Sequence, residues 1–184
     1  MSAAAAEDGG MTLGGAIGQG VLIGLWASWF KAKGPLSEVF LQRIAEAIAP
    51  PSPEQKELVG TDPIGHPKNM PPGVLMDKVA AAFGGQLSDE GRQRAQLRIH
   101  YTVGTTAGVI YSLALRRWPV VTRGAGGLYG LAVYAGGHGS LVWILGITPP
   151  PWRLPASAVM WEAASHAVYG AALEMGRRAL GAVP

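Results

Sequence analysis

Four apolar runs punctuate the chain, at about residues 11–30, 97–115, 124–147 and 156–175, and each approaches the ~20 apolar residues a helix needs to cross a bilayer. Charge and proline bound them. Lys31 and Lys33 follow the first; Arg116, Arg117, Trp118 and Pro119 close the second; residues 148–151 close the third; Arg177 and Arg178 close the fourth. The pattern predicts an all-α polytopic membrane protein, a four-transmembrane-helix bundle with 1–184 as a single membrane domain.

Residues 34–96, between the first two runs, predict a helical extramembrane cap. Leu36, Val39, Phe40, Ile44 and Ile48 recur at helical spacing with Glu38, Arg43 and Glu46 on the other faces, as in an amphipathic helix. Val74, Leu75, Val79 and Phe83 suggest a shorter one. Prolines at 50, 51 and 53, at 63 and 67, and in Met70-Pro71-Pro72 forbid a continuous helix. Ser88-Asp89-Glu90 caps a helix that continues through Arg92, Arg94 and Arg98 into the second span. His66, between two of the prolines, reads as a solvated loop residue.

Composition agrees with a membrane setting, since 48% of the residues are hydrophobic and only 15% charged. The net charge of +3 arises from short basic clusters flanking apolar runs, so the expected partner is the lipid bilayer and not nucleic acid. Without cysteine, disulfides, thiolate ligands and redox thiols are excluded, and the compartment stays open. The tail before the first run carries Glu7 and Asp8 and no basic residue, unlike a signal peptide, so that run is expected to be a retained helix. Gly14 with Gly18, Gly20 with Gly24, and Gly124, Gly126, Gly127, Gly130, Gly136, Gly137 and Gly139 predict close helix packing. No G-x-G-x-x-G follows a strand and no G-x-S-x-G is present, which argues against nucleotide binding and a serine hydrolase. Trp26, Trp29, Trp118, Trp143, Trp152 and Trp161 fall toward span ends, where indoles favour the membrane interface.

Candidate chemistry comes from ionisable residues inside apolar runs, which are costly in hydrocarbon unless paired. His100, His138 and His166 are such residues, and Glu162 stands one helical turn before His166 on the same face. By helical rise, Glu162 lies roughly 9 Å and His166 roughly 15 Å below the cap-side end of the fourth span, and all four residues fall in the cap-side half. Four chemistries fit such a layer. The groups can lock helix packing through Tyr101, Tyr111, Tyr134, Ser140 or Ser165. They can handle or sense protons, because imidazole titrates near neutral pH and a carboxylate shifts it. Three imidazoles and a carboxylate can bind zinc or iron, although no H-E-x-x-H motif accompanies them. Two of the histidines can hold haem. Glu174, beside Arg177 and Arg178, is expected in an ion pair and not in catalysis, and no catalytic residue is assigned.

Gly146-Ile147-Thr148-Pro149-Pro150, the Glu162-x-x-x-His166 pair and the ending Glu174-x-x-Arg177-Arg178 resemble the YagU family of bacterial inner-membrane proteins. Met70-Pro71-Pro72, His100 with Tyr111 eleven residues on, Pro119, and His138 eight residues before Gly146 extend the likeness to about residues 20–178. The resemblance implies an inner-membrane location, a link to acid resistance and no settled biochemical activity. The chain departs from the better-known member in lacking its loop cysteines and in having an acidic tail in place of an arginine-rich one.

For orientation, Arg116, Arg117, Arg123, Arg177 and Arg178 favour both termini in the cytoplasm; Lys31, Lys33, Arg92, Arg94 and Arg98 flank a long loop, which counts for less. The cap then faces the periplasm. Two classes of function are expected. One is a small inner-membrane protein whose buried His/Glu cluster senses protons or binds a cation, linked to acid-stress tolerance. The other is a non-catalytic accessory subunit whose glycine faces and cap pack against a larger membrane complex or a second copy.

Overall fold

A computed structural model describes residues 11–59 and 70–181. The acidic tail and the loop holding Pro63, His66 and Pro67 lie outside the described residues. The helices are α1 (Leu13–Lys33), α2 (Glu38–Ile48), α3 (Pro53–Val59), α4 (Pro71–Ala82), α5 (Asp89–Leu115), α6 (Gly127–Gly136), α7 (Val142–Ile144) and α8 (Ala156–Ala179). Among the described residues there is no strand.

The first, second and fourth apolar runs lie on α1, α5 and α8. Thr12 caps α1 by accepting from the Gly15 amide, and Ser88 caps α5 through Gly91, so the second run begins as the inner part of a longer helix. Among the described residues α1 is the one helix long and apolar enough by itself to cross a membrane. At 27 and 24 residues α5 and α8 have the length but interleave polar side chains. The third run is not one helix. It opens with 3-10 turns ending in left-handed backbone at Gly124, Ala125 and Gly126, forms α6, widens into a π turn over Gly137–Leu141, and ends in α7. Glycine tolerates the positive φ at Gly124 and Gly126 and the wider turn, and Ala125 between them shares the left-handed region at φ 53°. The short α3, between prolines, is an addition to the expected elements.

The bundle is built with small residues inside. On α1, Ala16, Gly20, Gly24, Ala27 and Ser28 face inward, while Leu22, Leu25, Trp26 and Trp29 face outward. A Cβ on Gly20 would stand 2.5 Å from the Val109 Cα, and one on Gly24 2.8 Å from the Thr105 Cα, so α1 and α5 meet backbone to backbone. On the opposite side, α6 and the turn before it meet α8 through Gly126, Gly130 and Gly170, and a Cβ on Gly130 would overlap the His166 carbonyl oxygen. Gly136 and Gly137 have open space around them and serve the π turn instead of close packing. Ile23, Ala27, Ala107, Tyr111, Tyr169, Ala172 and Leu173 form the centre.

Two placements could be settled only by the structure. The amphipathic α2 packs against α8 with Gln42 and Ala45 buried, leaving Phe40, Ile44 and Ile48 44%, 44% and 66% exposed, so its apolar side points outward. Trp161 is not at an interface but buried, since its position on α8 turns it into the bundle. At the end remote from the cap, Glu174 accepts from Arg177 and Arg178 at 2.8 Å each, as the i+3 and i+4 spacing predicts, and also from the Tyr111 hydroxyl at 2.6 Å.

Candidate functional site

Close approach of α6 to α8 through Gly130 fixes the neighbourhood of His166 and sets the course of the chain toward His138. His138 sits in the π turn, where Ser140 Oγ lies 2.9 Å from the Ala135 carbonyl oxygen and 2.8 Å from that of Gly136, satisfying carbonyls freed by the wider winding. Single π turns of this kind recur at functional sites.

The Glu162 carboxylate, one turn before His166 on α8, lies between the two rings. Its Oε2 is 3.7 Å from His138 Nδ1 and 3.8 Å from His166 Nδ1, beyond hydrogen-bonding range for both. His166 donates its Nδ1 proton to the Glu162 backbone carbonyl at 2.8 Å, which leaves the neutral ring a lone pair on Nε2. The rings of His138 and His166 meet edge to face at 5.1 Å, with Tyr134 against both. His138, Glu162 and His166 can each offer one ligand atom with all three atoms within 4.8 Å of one another. The ring contact leaves no room for a porphyrin between these two histidines.

His100 stands apart from the three. Its Nε2 donates to the Ser28 carbonyl at 3.0 Å, tying α5 to α1. It shares with His138 and His166 only the wall of a cavity of about 290 Å³, otherwise lined mostly by apolar side chains such as Val103, Val133 and Leu141. A smaller pocket of about 30 Å³, lined by Val59, Tyr134, Leu154 and Ala158, adjoins Glu162 and His138 from another side.

Lys31 also lines the larger cavity, and its Nζ pairs with Glu38 Oε2 at 2.6 Å. Burial opposes the charged form of Glu38, yet the Lys31 ammonium outweighs it and holds the carboxyl below its usual range. In the sequence Lys31 marks the end of the first apolar run and Glu38 a polar face of the amphipathic cap helix; their opposite charges across the Gly34-Pro35 turn are the available signal.

The arrangement is two imidazoles and one carboxylate around a small space, beside a mostly apolar cavity, on helices joined by glycine contacts. Its donors are spread around that space instead of being spent on one another. No curated protein and no solved structure matches the chain. The family described as a protein of unknown function (DUF1440) matches residues 40–175, a stretch that holds most of α2, most of the cavity wall and all three clustered residues, and the chain therefore belongs to that family.

Proposed function

We propose that this is a multi-pass inner-membrane protein whose His138, Glu162 and His166 take up a cation from the cap side of the bundle, in a role tied to acid-stress tolerance. The observation that carries it is the convergence of these three side chains inside a bundle whose helices meet through glycines and whose outer surface exposes large apolar side chains such as Leu22, Leu25, Trp26 and Trp29. Water would disfavour such an outer surface; lipid would not, and helices in lipid pack through small residues.

Helix lengths support a crossing by each of α1, α5 and α8. By helical rise, α1 spans roughly 31 Å and α8 roughly 36 Å against a hydrocarbon thickness of about 30 Å. The break after α6 is compatible with membrane depth because it lines a cavity, where irregular backbone is tolerated. The YagU-like motifs support the inner-membrane placement, and the arginine distribution supports cytoplasmic termini with the cap in the periplasm.

The accessory-subunit reading retains one specific support. Gly20, Gly24, Gly126 and Gly130 are used within the bundle, but Gly14 and Gly18 are exposed with nothing within 4 Å, which leaves a face for another helix.

Survival after acid challenge, in cells depending on this chain, tests the main reading. Glu162→Gln should lose protection while the protein still accumulates in the membrane. Full protection by Glu162→Gln would reject the role of the cluster. Because the chain has no native cysteine, single cysteines at residues 86 and 117 should label from opposite sides of the membrane; labelling from one side would reject the topology.

A further inference from the structure

We propose that His138, Glu162 and His166 form a binding site for a divalent first-row transition ion, zinc or ferrous iron, with at least one coordination position open. This rests on the cation-uptake reading above and names the cation.

Donor chemistry makes the choice among ions. Calcium and magnesium prefer six or more oxygen ligands, and this cluster offers one carboxylate. Two imidazoles and a carboxylate suit borderline ions: zinc in open three-ligand sites, and iron in sites with two histidines and one carboxylate. The absence of cysteine removes any competing thiolate site.

Geometry agrees with the chemistry. Ligands about 2.0–2.1 Å from a tetrahedral ion lie roughly 3.3 Å apart; Glu162 Oε2 stands 3.7 Å from His138 Nδ1 without bonding to it, and one ligand atom from each of His138, Glu162 and His166 lies within 4.8 Å of the other two. A metal-bound histidine usually gives its other ring proton to a carbonyl or carboxylate, which fixes its tautomer and orientation. The bond from His166 Nδ1 to the Glu162 carbonyl does this and leaves Nε2 for the ion. Tyr134 packs against both rings and limits their rotation. His138 and His166 also face the larger cavity, so an ion held there would have a route to an exchangeable ligand. His100, spent on the Ser28 carbonyl, is not among the ligands.

The test uses the full chain in detergent, stripped of metal and titrated with cobalt(II) as a spectroscopic probe, then with zinc or anaerobic iron(II). One equivalent of cobalt should give a visible ligand-field spectrum, and zinc or iron(II), but not magnesium or calcium, should displace it. His138→Ala, Glu162→Gln and His166→Ala should each weaken binding by more than the roughly 10–100-fold lost with an orienting partner, while His100→Ala keeps the affinity. Elution as a single species and unchanged helical circular dichroism keep unfolding from passing as loss of a ligand. Absence of stoichiometric cobalt or zinc, or wild-type affinity in the three variants, overturns the metal site. If metal fails to bind but Glu162→Gln still abolishes protection from acid while the protein accumulates in the membrane, the metal inference falls and the cation reading stands; if protection is also retained, both fall.

Discussion

His166 donates its Nδ1 proton to the backbone carbonyl of Glu162 at 2.8 Å, while the Glu162 carboxylate stands 3.8 Å from the same nitrogen. One residue thus orients the histidine with its backbone and keeps its side chain for something else. A simple His–Glu ion pair would show the reverse, with the carboxylate taking the ring proton. Nitrogen-15 NMR of the imidazoles should therefore find neutral His166 as the Nδ1–H tautomer. A dominant Nε2–H form would remove the lone pair on which the site depends.

Gly130 should be indispensable to the same geometry. Its missing side chain lets α6 lie against the His166 carbonyl, and an added methyl has nowhere to go because its neighbours are backbone. Gly130→Ala should cost about 1–3 kcal/mol by overpacking and separate His138 from His166. Thermal unfolding gives the first quantity, and the distance between cysteines placed at 138 and 166 gives the second.

Lys31 and Glu38 make a partly buried pair that depends on acid in a defined direction. Because the Glu38 carboxyl is held below its ordinary 4.5, its contribution is fully present above that value and is lost as pH falls through the lowered folded-state value. Glu38→Gln should cost about 3 kcal/mol near neutral pH, since it strands a buried ammonium. The difference from wild type should shrink on acidification below the folded-state value. A gap independent of pH would show that the pair is not what the substitution removes.

Tyr111 and Glu174 supply a contrast at the other end of the bundle. Tyr111→Phe deletes the donor 2.6 Å from Glu174 but leaves Arg177 and Arg178 in place. A loss of roughly 1.5–3 kcal/mol, the usual worth of a hydrogen bond to a charged group, should appear in unfolding measurements. Cobalt binding should not change; a large change would mean the two ends are coupled.

Much of this was legible in the residues. Ser88 announced the start of α5, the spacing at 36–48 announced α2, and the i, i+4 relation of Glu162 and His166 put them on one face. Local rules govern each of these features. What sequence could not convey depends on partners distant in the chain. Glu38 and Lys31 look like ordinary flanking charges until α2 folds back onto α8. His100 has the depth of a site residue, but its ring finds the Ser28 carbonyl first. The apolar side of α2 was visible, whereas its outward direction was not, because amphipathicity gives two faces and no environment. The glycines of the third run seemed equivalent, yet Gly130 makes close contact and Gly136 and Gly137 open a π turn around His138.

Whether His138, Glu162 and His166 act as one centre is tested most directly by nitrogen-15 NMR of the imidazole rings at one fixed pH, in wild type and in Glu162→Gln. Glutamine keeps the shape and removes the charge 3.7 and 3.8 Å from the two rings. The ring-nitrogen signals of both His138 and His166 should move together, while those of His100 stay in place. Unmoved signals for His138 and His166 would contradict a shared centre.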